Sequence, residues 1–113
     1  MDCIFCKMVN NEIPVNKIYE DDDIIAFNDI NPEAPVHILI IPKEHIGSVL
    51  DINDTNSYLF SKIYIVANEL ARKYELAEKG FRIVTNCGDD GGQSVKHLHF
   101  HLLGGRNFGW PPG

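Results

Sequence analysis

Histidine occupies every second position in Val95-Lys96-His97-Leu98-His99-Phe100-His101-Leu102-Leu103, and large apolar residues fill the places between. In an extended strand alternate side chains leave opposite faces. Such a strand carries three imidazoles on one face and Leu98, Phe100 and Leu102 on the other. A helix would scatter the imidazoles around its axis and leave no continuous apolar stripe. The pattern therefore asks for a sheet that is buried on one side and chemically equipped on the other. Three of the five histidines of the chain fall in this run. Imidazole changes charge near neutral pH and serves as nucleophile, acid–base group or metal ligand, which makes this face a candidate site. Solvated histidines on an ordinary strand, or a patch that gathers metal adventitiously, are the plainer alternatives.

A chain of 113 residues has room for one core, so 1–113 reads as a single domain. Its 44% hydrophobic and 23% charged residues are those of a soluble globular protein. The formal net charge is −6 and no run of Lys or Arg occurs, which speaks against nucleic acid and acidic membrane surfaces as partners. A small anion stays possible, because imidazoles and backbone N–H groups make local donor sites inside an acidic protein. The stretch from Met1 to Lys7 has no basic segment followed by a long apolar one, and no segment approaches the ~20 apolar residues of a membrane span. Three cysteines, two of them close together, do not form a secreted disulfide framework. A reducing cytoplasm, or nucleus, is the expected location.

Along the chain, Ile4 to Val9 reads as a short amphipathic helix and Lys17 to Glu20 as a strand. Asp21-Asp22-Asp23 reads as a solvated turn. Ile24 to Asn28 and the β-branched run His37 to Ile41, stopped by Pro42, make a hairpin pair. Leu59, Ile63, Val66 and Leu70 recur at helical spacing between Asp54 and Tyr74, with Asn53 or Asp54 available as N-cap. Phe81 to Thr85 is a further strand, and Gly88 to Gly92 leads into the histidine strand. The fold class is α+β, an antiparallel sheet of about five strands with one long helix across a face.

The loop Gly88-Asp89-Asp90-Gly91-Gly92-Gln93-Ser94 abuts the histidines. Glycines let a ligand approach the backbone, successive N–H groups form an anion-binding concavity, and Gln93 and Ser94 can hydrogen-bond phosphate oxygens. A Gly-Gly turn alone is only a turn. Next to three imidazoles it suggests a phosphate held against a histidine.

His97-Leu98-His99-Phe100-His101-Leu102-Leu103 resembles the signature of the histidine triad (HIT) superfamily of nucleotide hydrolases and transferases. Further stretches are similar to its Hint branch: Asn28 to Pro32, Ala34 to His37, Ile41 to Ile46, Asp90 to Val95, and Gly104-Gly105-Arg106 through Trp110-Pro111-Pro112-Gly113. The resemblance implies a purine nucleoside phosphoramidase that dimerises about a two-fold axis. It makes His99 the nucleophile, with His101 and Ser94 at the phosphate or leaving amine and His97 orienting the site. It puts Asp29 on the ribose hydroxyls, and Ile30, Phe27, Ile18 and Phe5 around the base. Asn86, Gly92 and Gln93 become further nucleotide contacts, while His37 is most simply a satisfied buried histidine.

The pair Cys3-x-x-Cys6 has no preceding strand to make it a redox motif. Relatives with this pair imply a structural zinc held by Cys3, Cys6, His45 and His97; others lack the cysteines and fold without metal. Cys87 is then a lone packing thiol. Two other readings stay open: a nucleotide-binding or interaction protein whose hydrolysis is incidental, and a dinucleoside polyphosphate hydrolase.

Overall fold

Two strands buried on both faces form the centre of the sheet. Ile24–Asn28 (β2) and Val36–Pro42 (β3) pair antiparallel, with Ile24 opposite Pro42 and Asn28 opposite Ile38. Alternation sends Ile24, Ala26, Ile38 and Ile40 to one apolar cluster, and Ile25, Phe27, Leu39 and Ile41 to a second one behind it. The computed structural model describes residues 3–113; Met1 and Asp2, which open the stretch read above for a leader, lie outside them. With Lys17–Glu20 (β1), Phe81–Val84 (β4) and Phe100–Gly104 (β5) the sheet has five antiparallel strands in the order β1-β2-β3-β5-β4. This is the expected α+β architecture.

The helix Tyr58–Lys73 (α2) lays Leu59, Ile63, Val66, Ala67, Leu70 and Ala71 on the first cluster. Its start differs from expectation. Asn53 does not cap it: the Asn53 side chain accepts from Thr55 N and Asn56 N, closing a separate turn before the helix, and Ser57 at the N-cap makes no side-chain bond. Asp21-Asp22-Asp23 is more than a solvated turn. Asp21 accepts from the backbone of Asp23 and Ile24, and Lys62 reaches across from α2 to Asp23 at 2.6 Å.

The histidine run is only partly strand. Ladder pairing begins at Phe100, because the Leu98 N–H is taken by the Ile46 carbonyl at 2.6 Å. Alternation persists regardless: Leu98, Phe100 and Leu102 are buried against α2. Phe100 meets Phe60 edge-on, with ring centroids 5.2 Å apart. The opposite face is not open either. A short helix, Ile4–Val9 (α1), covers it with Phe5, and His97 and His99 are buried beneath. Among the described residues no helix is long and apolar enough to cross a membrane.

Candidate active site and metal centre

His99 is 5% exposed, and its ring meets Phe5 edge-on at 5.2 Å between centroids. Its Nδ1 lies 2.7 Å from the His97 carbonyl oxygen. A carbonyl only accepts, so Nδ1 carries a proton, and in the neutral ring Nε2 holds an unused lone pair. His101 stands beside it at 5.2 Å between centroids. Among the described residues, His101 Nε2 is the one buried side-chain nitrogen or oxygen with no hydrogen-bond partner. Burial, reinforced by the neighbouring His99 and His37, pushes the His101 pKa down to about 4, so the ring is neutral at pH 7. Asp29 opposes this weakly.

Both imidazoles line a cavity of about 530 Å³ together with Phe5, Phe27, Asp29, Ile30 and Ser94. Asp29 Oδ1 accepts from Asn31 N at 2.8 Å, an Asx turn that fixes the carboxylate at the rim. Ile30 is 91% exposed, an apolar side chain left in the open beside the cavity it lines. Ile4, Met8, Pro14, Val15 and Asn16 add a wall that was not anticipated from sequence. The one available signal was the apolar face of the N-terminal helix.

Four expected contacts fall elsewhere. Ile18 packs against the α2-facing cluster, next to an irregularity in the β1–β2 register between Lys17 and Tyr19. Gln93 is 7% exposed and fully committed: its amide nitrogen donates to Gly47 O and Val95 O, and its oxygen accepts from Gly88 N. It braces the loop from inside. Gly92 N donates to Asp89 O and Gln93 N to Gly88 O, so these two N–H groups hold the turn rather than an anion. A Cβ at Gly91 would collide with the Cys87 carbonyl, which explains that glycine. Asn86 is half-buried after β4 and does not line the cavity.

His97 faces a second cluster. Its Nδ1 lies 3.4 Å from Cys3 Sγ, 3.6 Å from Cys6 Sγ and 3.2 Å from His45 Nδ1, and Cys6 Sγ lies 3.2 Å from His45 Nδ1. Zinc bonds of ~2.3 Å to sulfur and ~2.0–2.1 Å to nitrogen give a tetrahedron with edges of roughly 3.3–3.8 Å, which these distances approximate. His97 Nε2 donates to the Pro42 carbonyl at 2.8 Å, which leaves Nδ1 as the ligand atom. Burial pushes the His97 pKa down to about 4, keeping that nitrogen unprotonated. Burial and the neighbouring Cys3 push the Cys6 thiol up to about 11, a shift that a bound cation would reverse. Cys3, Cys6, His45 and His97 thus suit a closed structural zinc site. His97 serves the cavity only through its carbonyl.

A family model described as the HIT domain matches residues 10–108. An uncharacterised HIT-like protein of Synechococcus elongatus is 46% identical over 99% of this chain and 97% of its own. A 14 kDa zinc-binding protein of Brassica juncea is 45% identical over 99% of this chain and all of its own. The crystal structure of a HIT family hydrolase from Legionella pneumophila superposes with a TM-score of 0.96 at 51% identity, covering 99% of this chain and 100% of that one.

The His101 shift sets an acid limit on stability. The folded ring protonates near pH 4 and the unfolded one near its ordinary 6.5. Its contribution is therefore complete above pH 6.5 and is lost as the pH falls toward 4, at a ceiling of ~1.4 kcal/mol per unit. His101→Asn keeps an acceptor at the Nδ1 position but cannot titrate. Between about pH 7 and about pH 4.5 its unfolding free energy should fall less than the parent's, by up to about 2 kcal/mol. Parallel curves in denaturant titrations would show that His101 is not held neutral.

Proposed function

This chain belongs to the HIT domain family, and on that premise we propose that it hydrolyses purine nucleoside 5′-phosphoramidates through a nucleotidyl intermediate on His99. One observation carries the reading: a lone pair on His99 Nε2 and the unpartnered His101 Nε2 lie on the same cavity as Asp29. The ribose hydroxyls donate to Asp29, and the base lies along Ile30, Phe27 and Phe5. His99 Nε2 attacks phosphorus; the P–N bond breaks and its electron pair leaves with the amine, which takes up a proton. Water then displaces His99 and releases the nucleoside monophosphate. His101 donates to the phosphoryl oxygens as charge builds on them, and Ser94 contacts phosphate or amine. Each such preorganised donor is worth up to ~10²–10³ in rate.

His99→Ala should lower kcat on adenosine phosphoramidate by at least ~10³ while AMP affinity changes less than about tenfold. Comparable turnover in that variant would remove His99 from the nucleophile role. Parallel kinetics on AMP-lysine and diadenosine polyphosphates separates a phosphoramidase from a dinucleoside polyphosphate hydrolase.

Zinc held by Cys3, Cys6, His45 and His97 would supply a crosslink, with all four positions filled by protein. The crosslink ties α1, and with it Phe5, to the segment that carries His99. Metal analysis of protein purified without a histidine tag should find one zinc per chain, and Cys6→Ala should lose both the metal and thermal stability. Metal-free protein with unchanged melting would contradict this.

We also assign the chain to a two-fold homodimer. β4 is an outer strand of the sheet, and Tyr58, Tyr64 and Ile65 stay exposed on α2. The C-terminal segment runs beside β4, where Arg82 donates to the Gly109 carbonyl and Arg106 stacks on Phe108, and leaves Trp110 84% exposed. In the dimer this segment shapes the partner's leaving-group side. Deleting Asn107 to Gly113 should reorder the preference among leaving amines more than it lowers stability. A monomer in sedimentation at micromolar concentration, or an unchanged ranking, would contradict the assignment.

A further inference from the structure

His37 looks from sequence like a satisfied core histidine, but its partners are specific. The Glu33 N–H donates to His37 Nδ1 at 3.0 Å. An N–H is met by a lone pair, so the neutral His37 ring carries its single proton on Nε2. That Nε2 lies 2.8 Å from His101 Nδ1 and 3.4 Å from Asp29 Oδ2. The shorter contact takes the proton, so His101 Nδ1 accepts. The neutral His101 ring must then hold its own proton on Nε2, the buried atom that has no partner.

We propose that His37 is a positioning residue that locks His101 in the Nε2–H form, so that His101 presents a donor and not a lone pair to the phosphoryl oxygens. The assignment deepens, and rests on, the reading of this cavity as a phosphoryl-transfer site. The two tautomers differ in sign at the atom that matters. With the proton on Nε2, His101 attracts developing negative charge; with it on Nδ1, a lone pair would face that charge. Register makes the contact possible: His37 opposes Leu103 and Leu39 opposes His101, so the two histidines are diagonal neighbours on one face, with ring centroids 5.1 Å apart. The lock is itself anchored. Arg106 donates twice to the Glu33 carbonyl, at 3.0 and 3.1 Å, and Asp29 N donates to His37 O. His101 in its imidazolium form would set N–H against N–H across the 2.8 Å contact, so the same lock keeps His101 a neutral donor.

Two amide variants divide the roles of the His37 ring. In His37→Gln the amide nitrogen reaches the Nε2 position and keeps the donor to His101. In His37→Asn the amide oxygen reaches the Nδ1 position and keeps the acceptor for Glu33, but the donor to His101 is gone. If His37 acts through the tautomer, His37→Gln keeps kcat on adenosine phosphoramidate within about threefold, and His37→Asn loses at least about tenfold in kcat with KM little changed. The opposite ranking, or equal losses, makes His37 a brace for the Glu33 turn and overturns the proposal. Nitrogen-15 shifts of the histidine rings read the tautomer without substrate. His101 should be Nε2–H in the parent and in His37→Gln, with Nδ1–H appearing in His37→Asn. A parent His101 protonated on Nδ1 overturns the proposal outright. Parent protein that shows the expected shifts but turns over no phosphoramidate upholds the lock and refutes the functional reading instead.

Discussion

His97 joins the core, the cysteine cluster and the cavity in one buried residue. Its ring nitrogen Nε2 is spent on Pro42, its Nδ1 faces Cys3, Cys6 and His45, and its carbonyl takes the proton of His99. Each bond constrains another. With Nε2 committed, Nδ1 is left as a ligand atom, and with the backbone fixed at His97, the His99 ring is oriented. Cys6 follows Phe5 in α1, and Phe5 packs edge-on against both His97 and His99. Cys3, Cys6, His45 and His97, if they hold zinc, would thereby stiffen the wall of the cavity without touching its chemistry.

An anion taken up at this cavity, as proposed, would meet an electrostatic problem. A net charge of −6 repels anions, and none of the ten Lys and Arg residues lines the cavity. What the site offers is two imidazoles: His101, held neutral by burial, and His99, oriented through its Nδ1 by the His97 carbonyl. In a low-dielectric setting such groups gain strength because they need no reorganisation when charge develops.

Much of this was legible in the alternation of histidine with apolar residues, since period two dictates the buried and reactive faces even where ladder pairing stops. The central strands and the helical stripe of Leu59, Ile63, Val66 and Leu70 were equally plain, because burial selects them directly. What sequence hid were choices between equivalent hydrogen-bond partners. The Leu98 N–H goes to Ile46 and shortens the strand; Asn53 closes a turn instead of capping α2; Gln93 turns inward to bind three backbone groups. Ile18, which the resemblance put around the base, packs on the α2-facing cluster, beside an irregularity in the β1–β2 register. His37 is buried and hydrogen-bonded, as its place in an apolar run suggested; what the sequence could not show is which neighbours engage its two ring nitrogens.

The central claim is that His99 itself attacks phosphorus, so that the reaction consists of two displacements. Each in-line displacement inverts phosphorus. The most direct measurement is the stereochemical course of hydrolysis of a phosphoramidothioate that is chiral at phosphorus, carried out in oxygen-18 water. Two displacements through a nucleotidyl-histidine give overall retention of configuration, the predicted result. Inversion would mean that water attacks directly, and would contradict the account.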